Sequence, residues 1–254
     1  MKELTTLLFD VDGTLAETEE IHRQAFNRAF EQAGLDWHWT QQLYAELLSV
    51  TGGKERIRYF IDKHLPGFEV SVDLGEYIAG LHAAKTDIYT RTVASGEVAM
   101  RPGIKRLLQE ARGAGMRLGI ATTTTPANVT ALLVHNLAPD SERWFDVIAA
   151  GGVVPNKKPA SDIYDYAMQQ MGVSANECLA FEDSENGLHA ARGSGLPTLV
   201  AVSHYSQGQD FSGALLVLDQ LGDPGNPFKV LSGDAGDYEY VNVELLRMLH
   251  ARTI

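Results

Sequence analysis

The sequence has one cysteine among 254 residues, no excess of basic side chains and no long apolar run. Cys178 stands alone, so no intrachain disulfide is possible, and a reducing compartment fits. We therefore expect a cytoplasmic protein in which Cys178 is a small core residue. The first residues lack the apolar segment of a signal peptide, and no run approaches the roughly 20 apolar residues of a membrane span.

The charge balance argues against one broad class of partner. The chain has 21 basic and 33 acidic side chains, which gives a formal net charge of -12. Such a surface disfavours broad contact with nucleic acid or with an anionic membrane. It does not exclude an anionic small molecule, because a metal ion and a few lysines reverse the field locally.

Six short apolar runs predict β-strands, and helical patterns lie between the second and the fifth. Strands that alternate with helices favour right-handed crossovers and a parallel sheet. The fold class is therefore predicted as α/β, with a Rossmann-like parallel sheet as the core. The predicted strands are Leu4–Asp10, Met116–Thr122, Phe145–Ala150, Cys178–Glu182, Pro197–Val202 and Leu215–Leu218. The predicted helices of this part are Pro126–Asn136, Ser161–Met171, Ser184–Ser194 and Asn242–Ala251.

The pattern differs between the first two strands. From Glu17 to Ala94 no strand is evident, and Gly52-Gly53 and Pro66-Gly67 separate helical stretches. This predicts a helical cap domain, residues 17–94, inserted into a core domain of residues 1–16 and 95–254. The predicted cap helices are Glu19–Gln32, Thr40–Leu48, Lys54–His64 and Leu74–Arg91.

The strongest chemical signal is the run from Leu7 to Thr14, in which an apolar strand ends in Asp10 and Asp12. Both carboxylates can approach one site at the strand end, and they repel unless a cation or a shared proton relieves them. The run therefore indicates a divalent metal ion and an aspartate free to attack an electrophile. Taken alone, an Asp-x-Asp-Gly segment is more often a turn.

Further polar residues follow other predicted strands. Thr122 ends one apolar run, and Glu182 with Asp183 ends another. Ligands of parallel sheets bind beyond the carboxyl ends of the strands, so we expect these side chains to converge with Asp10. Taken alone, the acidic pair is typical of a helix N-terminus. The coincidence of several such residues at strand ends is what indicates a site.

Together these residues resemble the motifs of the haloacid dehalogenase superfamily, in its phosphatase branch. The resemblance covers nearly the whole chain, including the cap between the first and second motifs. One motif alone is not specific, whereas four in the right order are. The matching motifs are Asp10-x-Asp12-Gly13-Thr14, Thr122, Lys158 and Glu182-Asp183.

The resemblance implies hydrolysis through an aspartyl-phosphate, and elementary chemistry supports the same roles. Asp10 would be the nucleophile, and Asp12 the general acid and then the base. Thr122 would donate a hydrogen bond to a phosphate oxygen, and Lys158 would neutralise developing charge. The implied cofactor is Mg²⁺, which takes oxygen ligands. Its ligands would be Asp10, the backbone carbonyl of Asp12, Asp183 and, directly or through water, Glu182.

A predicted helix start in the cap suits a second anionic group of the substrate. Exposed backbone N–H groups and two cationic side chains come together there, in Gly52, Gly53, Lys54 and Arg56. A solvated helix start explains the same residues equally well.

Four more residues complete the expected substrate site. In sugar-phosphate relatives, positions like Glu17 and His22 face the gap between cap and core. Glu17 would accept a hydrogen bond from a sugar hydroxyl, whereas packing is favoured over substrate contact for His22. Lys85 faces either the cleft or solvent, and its position alone favours solvent. Thr123 lies in the threonine-rich turn after the second motif.

Finer details resemble the CbbY-type phosphatases. They are Gly52–Arg56, the turn ending in Pro126-Ala127-Asn128, and Leu221–Pro224. This resemblance implies xylulose 1,5-bisphosphate, an inhibitor of Rubisco, as the substrate, and a place in carbon fixation. We expect a monomer whose partner is this small sugar phosphate. Asn186 departs from the relatives' pattern, and it either reaches toward the site or only begins a helix.

Three other functions are considered. A phosphosugar mutase of the β-phosphoglucomutase type returns the phosphoryl group to a sugar hydroxyl, but Thr14 is typical of the phosphatase relatives. A dehalogenase needs no metal and does not explain Asp12. A non-catalytic sugar-phosphate sensor is disfavoured by the complete set of motif residues.

Overall fold

The computed structural model describes residues 3–253, and in this range the chain forms one seven-stranded sheet. The strand order is β3-β2-β1-β4-β5-β6-β7; the first six strands pair in parallel and β7 pairs antiparallel with β6. The predicted α/β class with a Rossmann-like sheet is confirmed. The strands are β1 (Thr6–Phe9), β2 (Arg117–Thr122), β3 (Val147–Ala150), β4 (Cys178–Glu182), β5 (Thr198–Ala201), β6 (Leu216–Leu218) and β7 (Val230–Gly233).

The strand β1 lies in the interior of the sheet, between β2 and β4, and all four of its side chains are buried. Leu7 pairs with Leu118 on one side and with Leu179 on the other. The rings of Phe9 and Phe181 stack with their centroids 4.5 Å apart. Burial on both faces is typical of a parallel strand covered by helices, and it fixes the residues that follow β1 between β2 and β4.

The chain has nine α-helices within residues 3–253, and none of them is both long and apolar enough to cross a membrane. Most predicted helices begin and end within two residues of the observed ones. The helices are α1 (Glu19–Gln32), α2 (Gln41–Leu47), α3 (Gly53–His64), α4 (Leu74–Val93), α5 (Ile104–Gly113), α6 (Pro126–Leu132), α7 (Asp162–Met171), α8 (Glu185–Gly193) and α9 (Val243–Ala251).

Two elements differ from the prediction. The strand β7 was not predicted, because its four residues are exposed and carry no apolar alternation. It lies at the edge of the sheet, where strand propensity is weakest as a signal. The helix predicted to run to Asn136 ends as an α-helix at Leu132 and continues as a π-helical turn over Leu133–Leu137.

The helices α1–α4 form a unit with an aromatic core of its own. Phe26 and Trp39 lie there with ring centroids 4.7 Å apart. The two chain segments that join this unit to the sheet run side by side, since Ala16 and Met100 form an antiparallel bridge. The cap and core boundaries at residues 17 and 94 stay a prediction.

Candidate active site

The sheet brings the expected site residues together at one edge. Asp10 follows β1 directly, Thr122 ends β2, and Glu182 ends β4 with Asp183 next in the chain. Because β1 pairs with both β2 and β4, the carboxyl ends of these three strands are neighbours. All four side chains are buried.

Three of these acids form a compact cluster with one lysine. Carboxylate oxygens of Asp10, Glu182 and Asp183 lie within 4.8 Å of one another. The Nζ atom of Lys158 donates to Asp10 Oδ1 and to Glu182 Oε1, both at 2.6 Å. Lys158 is itself buried, and it pairs with two of the three buried carboxylates.

The pKa values reflect this excess of negative charge. Burial, opposed by Lys158 and reinforced by Glu182, raises the pKa of Asp10 to about 7. Burial, together with the charges of Asp10 and Glu182, raises the pKa of Asp183 well above its usual range. Against the effect of burial, the two acids it touches hold the pKa of Lys158 well above its ordinary value. Burial and mutual repulsion thus act against the ionised forms of Asp10 and Asp183, and a bound cation would oppose both effects.

The donor atoms of the cluster fit a small divalent cation. Glu182 Oε2 is buried and has no hydrogen-bond partner within residues 3–253. Its other oxygen accepts from Lys158 and also from the Tyr164 hydroxyl, at 2.5 Å. Carboxylate oxygens suit hard cations such as Mg²⁺, Ca²⁺ or Mn²⁺. Asp10, Glu182 and Asp183 are therefore the residues that would hold such an ion.

The Asp12 side chain has different partners. Its Oδ1 accepts a hydrogen bond from Thr18 Oγ1 at 2.5 Å and lies 2.9 Å from His22 Nε2. Burial acts to raise the pKa of Asp12, but the charge and hydrogen bond of His22, with the Thr18 hydrogen bond, lower it well below its usual range. The carboxylate thus points to α1, and the backbone carbonyl of Asp12 as a metal ligand stays a prediction.

A buried lysine completes this chain of polar groups. Lys85 Nζ lies 2.5 Å from His22 Nδ1, and the His22 ring stacks on Tyr89 with centroids 4.0 Å apart. The expectation that Lys85 faces solvent is wrong: it is 4% exposed, because the face of α4 that carries it packs on α1. Burial lowers its pKa from 10.5 to about 7. His22 packs as favoured, but it also contacts Asp12.

The predicted anion site of the cap contains two glycines and two cationic side chains that differ in burial. Gly52 has a φ of 99°, which favours glycine, and Gly53 begins α3. Arg56 is buried, and its Nη1 donates to the Tyr44 hydroxyl at 2.9 Å. Lys54 is exposed. The helix start therefore offers one buried and one exposed cation.

Two adjacent cavities join these groups to the acidic cluster. One, of about 450 Å³, contains Asp10, Thr122 and Lys158. The other, of about 350 Å³, contains the cationic residues of the helix start and the threonine-rich turn. The residues that line both are Asp12, Glu19, Arg56 and Thr123. A molecule with two anionic ends therefore has room to touch both regions.

The structure shows the contacts of Glu17 and Asn186, two residues for which the sequence left the role undecided. Glu17 does not line either cavity; it accepts from the backbone N–H of His204 at 3.3 Å and borders a separate cavity of about 670 Å³. A sugar contact by Glu17 thus stays a prediction that this arrangement does not favour. The Asn186 amide donates to Ser49 O and Thr51 Oγ1, both at 3.2 Å, so it joins α8 to the helical unit.

Sequence reasoning missed several residues that hold the site. Tyr164 and Thr18 contact Glu182 and Asp12, and Tyr44 contacts Arg56. A tyrosine on an amphipathic helix gives the same pattern whether or not its hydroxyl reaches a polar site. Thr18 alone carried a signal, since it lies six positions after Asp12.

The fold and the site are those of a hydrolase with buried acidic residues at the carboxyl ends of its parallel strands. Residues 7–201 match the sequence model of the haloacid dehalogenase-like hydrolase family, and the chain belongs to this family. The resemblance inferred from the four motifs is confirmed.

Comparison with individual proteins shows which members of the family the chain resembles. The chain is 45% identical to the plasmid-encoded protein CbbY of Cupriavidus necator over 251 residues, 99% of this chain and 98% of that protein. It is 50% identical to protein CbbY of Rhodobacter capsulatus over 212 residues, 84% of this chain and 91% of that protein. The solved structure of the D10N mutant of CbbY from Rhodobacter sphaeroides, in complex with xylulose-(1,5)bisphosphate, is 46% identical. It covers 85% of this chain and 94% of that chain, with a TM-score of 0.81. Family and relatives together indicate a phosphatase that acts on phosphate esters.

Proposed function

We propose that the chain is a Mg²⁺-dependent phosphatase of a sugar bisphosphate, with xylulose 1,5-bisphosphate as substrate. The observation that carries the proposal is the pair of adjacent cavities, one with Asp10 and Lys158 and the other with the cationic residues of α3. The complex of the Rhodobacter sphaeroides relative with the same bisphosphate supports it. Removal of a Rubisco inhibitor would place the enzyme in carbon fixation. A cytoplasmic location and a monomeric state belong to the same proposal.

The first half-reaction begins at Asp10. A carboxylate oxygen of Asp10 forms the new bond to phosphorus as the ester bond to the sugar oxygen breaks, which leaves an aspartyl-phosphate. Lys158, 2.6 Å from Asp10 Oδ1, neutralises charge on the phosphoryl oxygens. Thr122 donates a hydrogen bond to one of them. When bound, the divalent cation supplies further positive charge to the phosphoryl group.

Asp12 moves the protons. At neutral pH its lowered pKa keeps the free enzyme's carboxylate ionised, and the negative charge of an arriving phosphate raises that pKa. As the substrate binds, Asp12 takes up one proton from solvent, and it then gives this proton to the departing sugar oxygen. In the second half-reaction the ionised carboxylate takes a proton from the water that attacks the aspartyl-phosphate. His22 and Thr18 hold the carboxylate in place for both steps.

The second phosphate of the substrate would bind at the start of α3. Arg56 lines both cavities, and Gly52, Gly53 and Lys54 line the cavity of about 350 Å³. Backbone N–H groups at a helix N-terminus and two cations suit a phosphate dianion. A bisphosphate thereby gains contacts that a monophosphate lacks.

A phosphate-release screen over sugar monophosphates and bisphosphates, with and without EDTA, tests the proposal. Asp10→Asn should lower kcat by several powers of ten while circular dichroism and thermal unfolding stay those of the wild type. The exposed Asp237, changed to asparagine, is the matched control. Phosphate release by Asp10→Asn near the wild-type rate would refute the nucleophile. An isomeric sugar phosphate as the product would indicate a mutase, and binding without turnover would indicate a sensor.

A further inference from the structure

Arg101 lies where the chain returns from the helical unit to the sheet. Its backbone N–H donates to Leu15 O at 2.8 Å, beside the bridge between Ala16 and Met100. The side chain points inward and the residue is 7% exposed. A buried arginine stays charged and needs acceptors for its donors, so its partners define what it does.

The guanidinium group donates to four backbone carbonyls. The Nη1 atom donates to Gly13 O and, at 2.7 Å, to Ala201 O. The Nη2 atom donates to Val202 O and to Asp219 O, both at 2.7 Å. These carbonyls belong to the loop after β1 and to the ends of β5 and β6. The Nε atom lies 3.5 Å from the Glu17 carboxylate. One side chain thus ties three strand ends together.

The Gly13 carbonyl matters because the catalytic loop is anchored there. Gly13 follows Asp12 directly and has a φ of 83°. Its Cα packs so closely on Asp183 that a Cβ at this position would overlap the Asp183 carboxylate. A shift of the Gly13 carbonyl would therefore move Asp12 on one side and release the contact with Asp183 on the other.

We propose that Arg101 is a positioning residue that holds the loop of residues 11–16, and with it Asp12 and Asp183, in the reactive arrangement. This inference rests on the proposed function of Asp12. Arginine is required because its planar group has five donors in a fixed fork, whereas the lysine ammonium is a point with three. Lysine at this position reaches at most part of the set and leaves buried carbonyls without a donor.

The neighbouring Arg106 offers a matched control. It also joins distant backbone, since its Nη2 donates to Gly222 O at 2.8 Å and to Val241 O at 2.9 Å. Its Nε pairs with Asp223 at 3.1 Å. None of these groups lines the two cavities that hold the site. Arg106→Lys therefore removes a similar set of bonds without touching the catalytic loop.

The experiment compares Arg101→Lys and Arg101→Ala with Arg106→Lys in the full chain. For both Arg101 variants we expect kcat to fall about 10- to 100-fold, with KM within about threefold of the wild type, since small misplacements of reacting groups have effects of this size. Amide hydrogen exchange over residues 11–16 should become faster in these variants alone. Guanidinium at low millimolar concentration should restore part of the activity of Arg101→Ala.

The outcomes separate this inference from the proposed function. An Arg101→Lys enzyme with wild-type kcat and unchanged exchange over residues 11–16 overturns the inference. So does an equal loss in Arg106→Lys, because it would show a general structural effect. If the wild type releases no phosphate from any sugar phosphate, the proposed function fails. Faster exchange confined to the Arg101 variants would then still support the positioning of the loop.

Discussion

Replacing Lys85 with methionine should stabilise the fold and weaken the enzyme. The Lys85 amine is buried beside His22 and lies 4.8 Å from the centroid of the Phe26 ring and 5.1 Å from that of Tyr89. Burial lowers its pKa from 10.5 to about 7. In the unfolded chain the same amine has the ordinary pKa and binds its proton more tightly. Folding therefore works against the charge on this side chain, and methionine of similar length removes that conflict.

The size and sign follow from the two pKa values. Between about pH 7 and 10.5 the unfolded state binds more protons than the folded state, so stability rises with pH in that window. At about 1.36 kcal/mol per pKa unit, the buried amine destabilises the fold by about 4 kcal/mol at pH 7 and under about 1 kcal/mol at pH 10. The variant also loses a hydrogen bond and two ring contacts, worth about 2 kcal/mol. A net gain of about 2 kcal/mol at pH 7 raises Tm by about 4 to 8 °C for a chain of this size.

Scanning calorimetry at pH 7 and pH 10 measures this difference. Lys105→Met, at an exposed position of α5, is the control and should leave Tm nearly unchanged at both pH values. The Lys85→Met enzyme should also show a higher KM for bisphosphates, because the cavity beside α3 loses a positive charge. A lower Tm for Lys85→Met at pH 7, or a gain that persists undiminished at pH 10, contradicts the reasoning.

Two other variants test the remaining contacts. Arg56→Ala should raise KM for a sugar bisphosphate at least about tenfold, since a charged hydrogen bond contributes about 1.5 to 3 kcal/mol. Lys54→Ala should raise this KM to a smaller extent, and KM for a simple phosphate ester should change less in both variants. Equal effects on both substrates in steady-state assays would dismiss the second phosphate site. Tyr164→Phe removes the hydroxyl that donates to Glu182 Oε1 and should lower kcat about tenfold with little change in KM. Tyr166→Phe on the same helix is its control, and an equal loss in both variants would assign the effect to packing.

The sheet was the most predictable part of the molecule. Its six parallel strands are near-continuous apolar runs, because helices cover both faces and no polar alternation is needed. β4 was predicted over Cys178–Glu182, the residues it occupies. β7 could not be found in this way, since exposed residues at a sheet edge are held by backbone pairing with β6. The π-helical turn after Leu132 likewise has no signature in apolar spacing.

The candidate site also has a part that the sequence predicts and a part that it does not. The convergence of Asp10, Thr122 and Asp183 follows from the rule that parallel strands present their carboxyl ends at one edge. The burial and the contacts of the Lys85 and Arg101 side chains do not follow from any local sequence pattern. Lys85 meets its partner 63 positions away and Arg101 meets carbonyls 88 to 118 positions away, and only the packed structure fixes such distances.

The charged side chains around the cavity beside α3 explain how a chain of net charge -12 suits an anionic substrate. His82 is one of the residues that line this cavity. Burial first, and then the charges of Lys85, Lys54 and Lys157, lower the pKa of His82 to about 4. The three lysines each lower this pKa by more than Glu55 raises it, which supports an anion beside His82. The acidic cluster around Asp10 provides the opposite charge one cavity away. A cation in that cluster and an anion beside α3 would each reduce the charge imbalance of its own region, so the two regions suit the proposed divalent ion and the proposed second phosphate.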